Sequence, residues 1–134
     1  AEARAKTEGT FPYAADLWAE GLLWAAVLRS PHAHARVASI DTRQAARMPG
    51  VHAIVTHEDV PGVGLHGRYG ADRPVFASEV VRHHGEPLAA VAADHPDTAR
   101  MAAAAIMVEY EVLPAQTDPE EAFTAEPLHP DGNV

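Results

Sequence analysis

Gly62-Val63-Gly64-Leu65-His66-Gly67 spells G-x-G-x-x-G, the spacing of a turn that lets backbone N–H groups approach a pyrophosphate. That chemistry needs a strand before the turn and a helix after it, so that the helix N-terminus faces the phosphates. Here Pro61 precedes the glycines and Arg68-Tyr69-Gly70-Ala71-Asp72 follows, with no helical pattern. A plain loop is the simpler reading. The nine histidines raise metal binding. His32 and His34 share one face of an extended segment, and His83-His84 form a second pair. Zinc or iron wants three or four converging ligands. Glu86, Asp94 or Asp59 would have to complete such a set, and nothing in the spacing fixes their geometry. After the Ser30-Pro31 turn, imidazoles commonly satisfy nearby backbone groups instead.

Other side chains point to bland roles. Ser30 and Ser39 lack the glycines of a nucleophile elbow. Glu109 and Glu111 fall on one strand face and read as solvated surface, not as an acid/base pair. Glu120 and Glu121 sit where negative charge suits a helix start. Trp24, among aliphatics, reads as core; Trp18, beside Glu20-Gly21, reads as an edge aromatic. No residue is therefore assigned a catalytic, cofactor-binding or metal-ligating role.

The elements that would position these groups form an α/β (α+β) pattern: a mixed β-sheet, a few short helices, and one longer helix near 96–105. Residues 22–28 read as a buried strand stopped by Ser30-Pro31. Two strand–helix–strand stretches follow. The first has strand 36–40, a short helix capped by Asp41 or Thr42, and strand 51–55, with a crossover about as short as a parallel connection permits. The second has strand 88–93 and a helix opened by Asp94 or His95, with Ala99, Ala102, Ala103 and Ile106 on one face. Residues 106–112 alternate with period two, as a half-buried strand does. Residues 118–123 suggest a short capped helix, and 61–74 a long surface loop with four glycines. The domain reading is an irregular segment over 1–20, one domain over 21–123, and a Pro/Gly/Asn-containing tail over 124–134.

Composition narrows function by exclusion. The chain has 134 residues, 19 acidic against 10 basic, and a formal net charge of −9. Nucleic acid and anionic membranes reward clustered Lys and Arg, so neither is expected as partner. With no cysteine, the chain offers no disulfide, thiolate zinc site, cysteine nucleophile or iron–sulfur ligand. The apolar run Leu22–Leu28 is far too short to span a bilayer. The start without Met and the character of the tail read as a piece of something longer.

Eight segments, in order, resemble a known family. They are Lys6-Thr7-Glu8-Gly9 with Tyr13-Ala14-Ala15-Asp16; Leu28-Arg29-Ser30-Pro31-His32-Ala33-His34-Ala35-Arg36-Val37; Ile40-Asp41-Thr42; Met48-Pro49-Gly50-Val51; Asp59-Val60-Pro61-Gly62; Gly85-Glu86-Pro87-Leu88-Ala89-Ala90-Val91; Val108-Glu109-Tyr110-Glu111-Val112-Leu113-Pro114-Ala115; and His129-Pro130-Asp131-Gly132-Asn133-Val134. These are similar to the N-terminal a/b hammerhead domain of the molybdenum hydroxylases, the xanthine dehydrogenase and aldehyde oxidase family. The resemblance implies a part of a molybdopterin-dependent oxidoreductase that hydroxylates an aldehyde or N-heterocycle with oxygen from water. It implies a molybdenum–molybdopterin centre, two [2Fe–2S] clusters and usually FAD in the complete enzyme, all held on other segments or subunits. The matched residues are turn and packing types, so no family catalytic residue falls on this chain, and the isolated chain is expected to be inactive. The expected partners are a molybdopterin-binding catalytic domain and iron–sulfur and FAD subunits, in the cytoplasm. A stand-alone structural or binding module of the same fold, and a histidine-based metal protein, are the alternatives.

Overall fold

The computed structural model describes residues 2–62, 64–67, 72–127 and 132. Among them, eight strands build two three-stranded sheets and a short ribbon. In the first sheet β7 (Pro87–Ala93) lies between β1 (Trp24–Arg29) and β3 (Val51–Val55). In the second, β2 (Ala35–Asp41) lies between β6 (Val80–Val81) and β8 (Met107–Val112). The ribbon pairs β4 (Leu65–His66) with β5 (Arg73–Pro74). Among the described residues the α-helices are α1 (Glu2–Thr7), α2 (Arg43–Ala46), α3 (Pro96–Ala104) and α4 (Pro119–Ala122).

β7 is buried at most positions because it is flanked on both edges and covered by α3, and its residues suit that place. Leu88, Ala89, Val91 and Ala93 are all buried. Ala99, Ala102 and Ala103 of α3 are buried as well, and side chains this small let a helix lie close to a sheet. His95 starts α3 by accepting the Asp97 N–H at Nδ1, and Pro96 occupies the first turn, where its missing N–H costs nothing. Leu28, Ile40 and Val108 pack against both buried clusters, so they tie the two sheets into one body.

The α/β class, the short helices and the longer helix stand as the sequence indicates. The crossover reading does not. β2 and β3 lie in different sheets, and every strand pair among the described residues is antiparallel, so the Ile40-to-Val51 connection passes between sheets. Hydrophobic spacing reports elements, not their partners.

Three further readings change. Within 1–20, read as irregular, α1 forms over six residues, supported by Arg4–Glu8 and Lys6–Glu2 ion pairs one turn apart. The loop 61–74 carries the β4–β5 ribbon; Val63 and residues 68–71 lie outside the described residues. The buried strand 22–28 is instead an edge strand from Trp24 to Arg29, and Trp24, read as core, is 52% exposed. Of the tail, residues 128–131, 133 and 134 lie outside the described residues.

Candidate functional site

The buried polar residues lie where the Arg29-Ser30-Pro31-His32 turn meets the Gly85-Glu86-Pro87 turn. Pro31 ends β1, and Gly85, at φ +83°, supplies a left-handed bend before β7 that a side chain would resist. Ser30 and Glu86 are the buried polar residues among those described. The Ser30 N–H donates to the Glu86 carbonyl at 2.9 Å, and the Gly85 N–H donates to the Ser30 carbonyl at 2.9 Å. Arg29 Nη1 donates to the Gly85 carbonyl at 2.9 Å. The Ser30 hydroxyl accepts the His32 N–H at 3.0 Å, and the Glu86 carboxylate accepts the Arg82 N–H at 2.5 Å. The His32 ring meets Tyr110 edge-on, centroids 4.7 Å apart. Burial raises the Tyr110 phenol above its usual range, and its hydrogen bond with Ser30 works against that shift. These polar groups are occupied with holding backbone, so the arrangement is a clasp between two turns.

The histidines separate into local tasks. His34 Nδ1 lies 2.6 Å from the Pro114 carbonyl; a carbonyl only accepts, so the ring donates there and pins the exit of β8 to the start of β2. His83 Nδ1 likewise donates to the His84 carbonyl at 3.1 Å. His52 Nε2 pairs with Asp94 at 2.6 Å across the Gly50 turn. Among the described residues no three His, Asp or Glu side chains converge as a metal site. His57 Nδ1 is the buried side-chain polar atom among them without a hydrogen-bond partner, a feature that sequence spacing offers no means of finding.

The remaining candidates also resolve. Within the G-x-G-x-x-G, Leu65–His66 form β4, a strand, where a dinucleotide fingerprint needs a turn that opens a helix. Ser39 donates to Glu109 at 3.0 Å, and Arg36 pairs with Glu111 at 3.2 Å, as cross-strand contacts on an outer face. Glu120 and Glu121 occupy the first turn of α4, where Asp118 accepts the Glu120 N–H at 2.8 Å. An open groove between β2 and β8 is lined by Asp41, Arg43, Met107 and Glu109. In it Arg43 binds Asp41 through Nη2 at 2.6 Å; that side-chain hydrogen bonding, first among the causes, lowers the Asp41 pKa to about 2. Among the described residues no helix is long and apolar enough to cross a membrane.

The structure defines a two-sheet α/β domain of antiparallel strands and short helices. Comparison with known proteins gives the family within that class. The sequence model described as aldehyde oxidase and xanthine dehydrogenase, a/b hammerhead domain, matches residues 8–114, and the chain belongs to that family. It is 42% identical over 135 residues to a probable xanthine dehydrogenase subunit of Bacillus subtilis (strain 168), covering 99% of this chain and 18% of that protein. It is 38% identical over 146 residues to the xanthine dehydrogenase molybdenum-binding subunit of Escherichia coli O157:H7, covering 99% of this chain and 19% of that one. Among solved structures, the aldehyde oxidoreductase of Desulfovibrio gigas superposes with a TM-score of 0.82 at 36% identity, over 96% of this chain and 16% of that one. The Cu,Mo-CO dehydrogenase gives 0.84 at 34% identity, over 91% and 16%. The chain thus spans less than a fifth of the length of these curated relatives.

The residues present do not fit the cofactors of such enzymes. Iron–sulfur clusters take cysteine thiolates, and the chain has none. A pterin phosphate wants converging N–H groups or cations. The β2–β8 groove presents two carboxylates, and its one guanidinium is already paired.

Proposed function

We propose that this chain is the N-terminal hammerhead part of the large, molybdopterin-binding subunit of a hydroxylase that oxidises an aldehyde or N-heterocycle. Its contribution is structural: it holds and shields catalytic segments and supplies no reacting group. The observation that carries this reading is its end-to-end match to under a fifth of subunits named for xanthine dehydrogenase and molybdenum binding. The clasp, the paired histidines and the cysteine-free sequence support it, since each spends polar chemistry on packing or offers none to a cluster. In this reading residues 21–123 are the folded module and 124–134 lead toward the molybdopterin domain. Molybdenum–pterin, [2Fe–2S] and FAD groups reside on partner segments or subunits, in the cytoplasm.

Expression of this sequence with its neighbouring coding sequences tests the reading. A molybdenum-binding polypeptide and a cysteine-rich iron–sulfur partner are expected to purify with it or in continuity with it. Recovery of a free 14.3 kDa protein with neither would overturn it.

A further inference from the structure

The large apolar side chains are distributed inside-out. Among the described residues, eight of the twelve buried hydrophobic ones are alanines, whereas both tryptophans are outside. The exposed large residues concentrate in sequence: Tyr13, Leu17, Trp18, Leu22, Leu23 and Trp24 fall within twelve positions. Trp18 is 82% exposed and Leu17 65%.

This segment, residues 13–23, has a defined path with few interactions of its own. It holds a short 3-10 helix over Ala14–Asp16, where Asp16 accepts the Tyr13 N–H at 3.0 Å. A turn closed by the Leu22 N–H on the Ala19 carbonyl at 3.2 Å follows, with Gly21 at φ +76°. Both are local. None of its large apolar side chains belongs to either core cluster, and the segment runs directly into β1, whose outer edge is unpaired among the described strands. An ordered strap that leaves its large apolar side chains uncovered marks a surface for another body.

Resting on the function proposed above, we propose that residues 13–23 and the β1 edge are the docking surface for the rest of the large subunit. The occupant is an apolar face on the part that the relatives carry beyond the 18–19% of their length that this chain spans. Trp18 and Leu22 are its anchors. Aromatic and aliphatic residues that enter a partner's pocket dominate such interfaces. The chain's net charge of −9 disfavours an anionic membrane as the alternative apolar host.

Hydrogen exchange on the complete large subunit carrying this sequence, against this chain alone, tests the proposal. Amides of residues 13–23 are expected to exchange about tenfold or more slower in the complete subunit. The double substitution Trp18→Ser with Leu22→Ser should abolish that slowing. It should leave the melting temperature of the isolated chain unchanged, because neither side chain is buried there. A strap that exchanges equally fast in a complete, molybdopterin-loaded subunit overturns the docking surface and leaves the proposed function standing. A strap protected in the isolated chain only as its concentration rises overturns it in favour of a second copy. A complete subunit without molybdopterin overturns both.

Discussion

Ser30 is a serine whose hydroxyl sequence reasoning weighs for catalysis and the fold uses for anchorage. The hydroxyl holds the His32 N–H two residues on, while the Ser30 backbone bonds Glu86 and Gly85 of the distant turn and Arg29 reaches Gly85 across 56 positions. Ser30→Ala removes the acceptor of a part-buried N–H and is expected to cost about 1–3 kcal/mol in a denaturation curve. A change of a few tenths would show that the hydroxyl adds nothing to the backbone bonds of the clasp. Asp41 gives a pH signature. Its folded carboxyl lies near 2, below the ordinary carboxylate value, so its contribution is fully present above about pH 4 and is lost as pH falls through 2. A carbon-detected NMR titration should put its midpoint near 2, and Arg43→Gln should return it toward the ordinary range. An unchanged midpoint in that variant would remove Arg43 as the cause. The bonds from Arg29 and Ser30 to Gly85 and Glu86 are illegible in the sequence because spacing shows which residues share a local face, not which distant turns meet.

At the scale of elements, much is readable. Strand 51–55 and the helix opened by His95-Pro96 follow from residue types that leave little choice: Pro49-Gly50 as a stop, Pro96 as a start. Pairing is not readable. Two strand–helix–strand units suggest parallel crossovers, yet β2 and β3 diverge into separate sheets bridged by Leu28, Ile40 and Val108. The turn between α2 and β3 depends on Gly50, at φ +84°, where an added Cβ would lie 3.3 Å from Asp94 Oδ2. Gly50→Ala is expected to cost about 1–3 kcal/mol and to loosen the His52–Asp94 pair, read as a shift of the His52 ring resonances. The close approach of α3 to β7 rests on alanine. Ala102→Leu should overfill that contact and destabilise by about 1–3 kcal/mol in the same assay. A neutral result would mean that the helix and sheet have slack.

Across the whole molecule, the family is legible in the sequence and the working surface is not. Collinear turn and packing residues from Lys6 to Val134 carry the resemblance, and the match over residues 8–114 bears it out. The reading of Trp24 as core fails because an aliphatic run looks the same whether it faces its own domain or a neighbour's. A domain with alanine inside and tryptophan outside is shaped to be completed by something else. Ser30, Glu86, His34 and His83 bond backbone groups, and His52 pairs with Asp94. The most direct test is the molybdenum and pterin content of this chain purified alone, beside that of the complete subunit that carries it. The account expects both to be at background in the chain alone and near stoichiometric in the complete subunit. A pterin held one-to-one by these residues by themselves would contradict it.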